Sequence, residues 1–120
     1  MYQIDFYEDE NGNSDVEDFI KKLDSSNQLQ DKQILKKIYH QLELLGDLGY
    51  MITMPQSRNL KGYKYPLKEL RPLPERIFYA AWANDRFVLL SHYTKKGNKT
   101  DPREIDKALR RLEDWLERNK

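Results

Sequence analysis

Apolar and polar residues alternate in Tyr2-Gln-Ile-Asp-Phe-Tyr7, and this period of two predicts an opening strand that the turn-forming run Asn11-Gly-Asn-Ser14 ends. The period then lengthens. Val16, Phe19, Ile20 and Leu23 fall on one helical stripe, so a short helix capped by Ser14 or Asp15 is expected to about Leu23. After Asp24-Ser-Ser-Asn27 a second stripe follows: Ile34, Leu35, Ile38, Leu42 and Leu45. It predicts a longer helix over about 28–46, closed by Gly46 or Gly49. Residues 51–58 show neither period and read as a loop.

The centre reads as a meander of three strands. "YPLKELRPL" (65–73) holds the first, bounded by prolines that suit an edge or a strand end. "RIFYAAW" (76–82) is apolar almost throughout, so it is expected to be a central strand covered on both faces. "ANDR" (83–86) has the chemistry of a tight hairpin, and "FVLLSHY" (87–93) returns beside it. A last helix opens at Asp101 as N-cap with Pro102 at the first helical position and Glu104 completing a capping box. Ile105, Leu109, Leu112 and Leu116 give that helix one face to lay on the sheet. The expected fold is α+β: a small antiparallel sheet flanked by N-terminal helices and a C-terminal helix, with 1–120 as one domain.

Composition narrows the function classes. With 38% hydrophobic and 34% charged residues the chain is charge-rich but patterned, and it has no run of about 18 apolar residues to span a bilayer. The acidic start lacks the basic and apolar regions of a signal peptide, so a cytoplasmic protein without membrane attachment is expected. Cysteine is absent and there are 2 histidines, so neither a metal site nor a cofactor is expected. The net charge of +1 hides an asymmetry: residues 1–50 carry 5 Lys/Arg against 11 Asp/Glu, whereas residues 56–100 carry 10 against 3. Such a concentration of cations around the strands is either a solvated basic face or a surface for a phosphate backbone.

Alternation puts Glu69 and Arg71 on one face of their strand. Arg76 opens the next strand a few residues later, and the strand after that ends in Thr94-Lys95-Lys96 near the same edge. Arg71, Arg76 and Lys96 thus converge with one carboxylate. Gathered cations repel unless an anion joins them, and an RNA phosphate fits, since arginine offers planar paired donors and lysine a mobile charge.

The ordered run "LKELRPLPERIFYAAW…RFVLLSHYTKKGNKTDPREIDKALRRL" resembles the HigB-like, phage-derived branch of the RelE/ParE toxin superfamily over about residues 60–112. The resemblance implies the toxin of a type II toxin–antitoxin pair, a metal-independent ribonuclease that cuts messenger RNA on the ribosome. Its partners would be the ribosome, the messenger and a cognate helix-turn-helix antitoxin. In that chemistry a ribose 2′-OH attacks the adjacent phosphate while cations stabilise the charge that builds on it. Arg71, Arg76 and Lys96 match the basic positions. Glu69, which is basic in some relatives, is either the general base or a plain partner for the arginines. His92 and Tyr93 compete for acid–base roles, against the alternatives of a packed core histidine and of a tyrosine in the core or stacked on a base. Lys61, Lys64, Lys68, Lys95 and Lys99 are expected to contact RNA phosphates. Two departures stand out: Lys68 replaces the usual aromatic before Glu-Leu-Arg, and Asp101 separates Lys99-Thr100 from Pro102. A toxin or binding module that is not a nuclease, directed at another target such as gyrase, is the alternative.

Overall fold

The computed structural model describes residues 1–120. Strand β1 (Gln3–Phe6) leads through the Asn11–Asn13 turn to helix α1 (Asp15–Ser25), where Ser14 is the N-cap and its Oγ accepts from the Glu17 amide. Helix α2 (Leu29–Leu48) stops at Gly49, whose positive φ of 55° suits glycine. A Cβ there would lie 2.1 Å from the Tyr2 ring, so close approach as well as conformation demands glycine.

Four more strands and one helix follow: β2 (Ser57–Leu60), β3 (Leu67–Leu70), β4 (Glu75–Ala83), β5 (Arg86–Thr94) and α3 (Pro102–Arg118). The sheet order is β1-β5-β4-β3-β2. The β3–β5 meander is antiparallel as expected and β2 extends it antiparallel, while β1 adds to β5 in parallel, so the sheet is mixed. The architecture is α+β and is compatible with a RelE-like fold.

Alternation on β4 explains how the layers assemble. Ile77 and Tyr79 point into one core with Leu70, Phe87 and Leu89 against α1 and α2. Phe78 and Ala80 point into another with Leu67, Val88 and Leu90 against Ile105, Ala108 and Leu112 of α3. Both faces are covered, which is why this strand reads as a continuous apolar run. Phe78 is fully buried, and truncating a side chain of that kind to alanine costs about 3–5 kcal/mol.

Three local expectations change. The reading of residues 51–58 as a loop misses β2, whose Ser57 and Leu60 are buried while Arg58 and Asn59 are exposed, a pattern with too few apolar residues to announce itself. Strand β3 is shorter than 65–73, and Arg71 follows its last residue, with its amide donating to Gln56 O at 2.9 Å. At α3, Asp101 caps the Arg103 amide as a cap should, but the Glu104 carboxylate turns to Lys107 at 3.1 Å instead of closing the box.

Candidate functional site

Glu69 sits on the α3 face of β3, between Arg58 on β2 and Phe78 on β4. It is fully buried. A carboxylate there needs partners, and three come from different elements. Arg76, at the start of β4, brings Nε to 3.5 Å from Glu69 Oε1, and Arg71 brings its own Nε to 3.9 Å. Tyr93, opposite Arg76 on β5 and stacked on Phe78, donates from its hydroxyl to Glu69 Oε2 at 3.3 Å. Thr100 Oγ1 lies the same 3.3 Å from the Tyr93 oxygen and ties the 97–100 loop to the cluster.

Two guanidiniums face one carboxylate, so the cluster keeps a net positive charge. Moreover, contacts of 3.5 and 3.9 Å are ionic without being hydrogen bonds, and both arginine Nε donors are buried with hydrogen-bonding capacity unused. The Arg76 side chain is 8% exposed and its Nη1 is anchored on the Pro74 and Glu75 carbonyls, whereas that of Arg71 is 18% exposed. Arg71 is therefore the arginine that reaches outward.

Its placement depends on a residue the sequence reading passed over. Gln41 of α2, itself buried, accepts from the Arg71 amide and donates to the Arg71 carbonyl, each at 3.0 Å. The signal was available, because Gln41 is a polar residue on the stripe formed by Ile34, Ile38 and Leu45.

A depression of about 450 Å³ opens beside the cluster, lined by Tyr93, Thr94, Lys96, Lys99, Asp101 and Glu104. Lys96 and Lys99 are exposed and Lys95 is half-buried. Burial, reinforced by the Glu69 carboxylate, raises the Tyr93 phenol above its ordinary value, so it remains a proton donor at neutral pH. Glu69, Arg71, Arg76 and Tyr93 are thus brought together, and Tyr93 is the member that shares the depression with Lys96 and Lys99. No group of three or more His, Asp and Glu side chains is placed to hold a metal ion.

Three expected site residues fall elsewhere. His92 neighbours Tyr93 in sequence and so faces the opposite side of the sheet, where it stacks on Phe19 of α1 with ring centres 4.1 Å apart and approaches Glu75 at 3.8 Å. It is a packed histidine, separated from Glu69 by the sheet. Lys68 is turned away for the same reason: its Nζ donates to Asn59 Oδ1 at 2.8 Å, and burial lowers its pKa. Lys64 points towards α3 and pairs with Glu113 at 3.5 Å. Lys61, in contrast, lines a second depression with Lys99 and Arg58. Arg58, absent from the sequence-derived set, was hidden by the loop reading of its segment.

No helix is long and apolar enough to cross a membrane. A search of the curated proteins returns no match. The family model of the phage-derived protein Gp49-like group (DUF891), in contrast, matches residues 4–113, from the first strand into the last helix, and the chain belongs to that family.

Proposed function

We propose that the protein is the toxin of a type II toxin–antitoxin pair, and that its basic site cuts messenger RNA on the ribosome without a metal ion. The observation that carries this reading is the buried Glu69 between Arg71 and Arg76, net positive and hydrogen-bonded to Tyr93, which lines a depression with Lys96 and Lys99. Membership of a phage-derived family agrees with such a module. The 2′-hydroxyl gives its proton to solvent water as its oxygen attacks the neighbouring phosphorus, the 5′-oxygen leaves, and negative charge gathers on the phosphoryl oxygens between. Arg71 and Lys96 stabilise that charge, which is where fixed cations contribute most. Tyr93 gives a proton to the departing 5′-oxygen. Glu69, with no surface of its own to meet the ribose, acts as a positioning residue that holds Arg71, Arg76 and Tyr93 in one arrangement. Lys95 and Lys99 guide the RNA backbone. The cytoplasm is the compartment, and a helix-turn-helix antitoxin is the partner that keeps the site silent.

Primer extension on a defined messenger in a purified translation system tests the reading. New 5′ ends are expected only with ribosomes, and Arg71→Ala lowers their yield by about 100-fold or more. Growth arrest without any cut messenger would overturn the nuclease reading and direct attention to a target such as gyrase.

A further inference from the structure

The second depression has no role in the chemistry above. It encloses about 460 Å³ and is lined by Arg58, Lys61, Tyr63 and Lys99, with buried Leu60 and Ile105 as its apolar part. That volume is in the range of small-ligand sites and matches the 450 Å³ of its neighbour, with which it shares Lys99. Its charge is one-sided: three cations and no carboxylate line it. None of the three forms an ion pair, although Arg58 stands directly across from Glu69, whose Oε1 is in ionic contact with Arg71 and Arg76 and whose Oε2 accepts from Tyr93.

Tyr63 supplies the other half of the argument. Its side chain belongs to neither core, it stacks on no other ring, and it is 43% exposed at the wall of this depression. An uncommitted aromatic face beside free cations is the combination that holds single-stranded nucleic acid, the ring taking a base and the cations the backbone. Thr100 lines the same depression while touching the Tyr93 hydroxyl, so a strand lying here continues directly into the Glu69 cluster.

We propose that this depression is a nucleotide subsite: a base flanking the cut linkage stacks on Tyr63, and its phosphate lies between Arg58 and Lys99. The inference rests on the RNA-cleaving reading. The test uses ribosomes programmed with a messenger made uncleavable by 2′-deoxy nucleotides at the cut site, titrated with fluorescently labelled protein. Tyr63→Ala is expected to weaken binding by about 5- to 100-fold and Tyr63→Phe to leave it within about twofold, because every base offers a face to stack and the phenol oxygen is not needed. On messengers abasic at the flanking positions the unaltered protein and Tyr63→Ala should bind alike. Arg58→Gln, at an exposed position, should weaken binding and reduce its salt dependence by about one phosphate contact. Unchanged affinity in Tyr63→Ala, or the same loss on abasic messenger, overturns the subsite while leaving cleavage by the unaltered protein as evidence for the nuclease. If the unaltered protein neither binds nor cuts programmed ribosomes, the nuclease reading fails and the subsite fails with it.

Discussion

Each face of the sheet buries one glutamate, and similar groups surround the two. Glu69, on the α3 face, has two guanidiniums and a phenol; Glu75, on the α1 face, has the His92 imidazole at 3.8 Å and a hydrogen bond from the Thr94 hydroxyl. What separates them is the surroundings. Phe19 of α1 lies over His92 and turns the Glu75 group into part of the packing. Beside Tyr93, which donates to Glu69, a depression stays open with the exposed Lys96 and Lys99 in its lining. A buried carboxylate is therefore a poor signpost by itself. Excess positive charge, unused arginine donors and a neighbouring depression open to solvent are what distinguish the Glu69 group.

Glu69→Ala should have the largest effect, since it leaves the buried Arg76 and the half-buried Arg71 without a counter-charge. A loss of about 3–5 kcal/mol in denaturant unfolding is expected, together with loss of cleavage. A variant that unfolds like the original would mean that the arginines had found other partners. Next comes Gln41→Leu, which removes two hydrogen bonds from the Arg71 peptide, whose amide keeps Gln56 O and whose carbonyl keeps the Leu73 amide, at about 0.5–1.5 kcal/mol for each bond lost. Cleavage should fall with it, and selectively through kcat if Arg71 acts in the transition state.

The Glu75 side makes smaller demands. Burial pushes its carboxyl up, but His92 and Thr94 outweigh that and hold it below the ordinary glutamate value. A depressed folded value means that this stabilisation is present above the unfolded pKa and is lost as pH falls through the folded one. Unfolding free energy measured against pH should thus drop in the acid range below the ordinary glutamate value, and Glu75→Gln should flatten that drop. Smallest of all, His92→Phe keeps the stack on Phe19 and should leave cleavage within about twofold, with a stability change of about 1 kcal/mol or less. A large loss of cleavage without unfolding would return His92 to the catalytic set.

The pattern of hydrophobic residues carried most of the fold. Long stripes on α2 and α3 and the apolar run of β4 each satisfy one periodicity over many residues, so local and tertiary preferences agree. Strand β2 does not, because Ser57-Arg-Asn-Leu60 owes its place to pairing with β3 and to the 2.6 Å contact between Ser57 Oγ and the Tyr79 hydroxyl. Missing β2 also meant missing Arg58. At the site, Glu69 and Arg71 were legible from alternation, and their meeting with Arg76 followed from the meander. Which of His92 and Tyr93 shared the face of Glu69 depended on the cross-strand register, which periodicity alone does not supply. Lys68, next to Glu69 on a short strand, was assignable to the other face by alternation, and counting charge without direction misplaced it.

The reaction proposed for this site is attack by a ribose 2′-OH on the messenger backbone. The most direct measurement is the chemistry of the cut ends, taken beside a messenger carrying a single 2′-deoxy nucleotide at the cut position. Cleavage leaving a 2′,3′-cyclic phosphate and a 5′-hydroxyl, and none at the 2′-deoxy position, is the predicted result. A 5′-phosphate end, or equal cutting of the 2′-deoxy messenger, would contradict it.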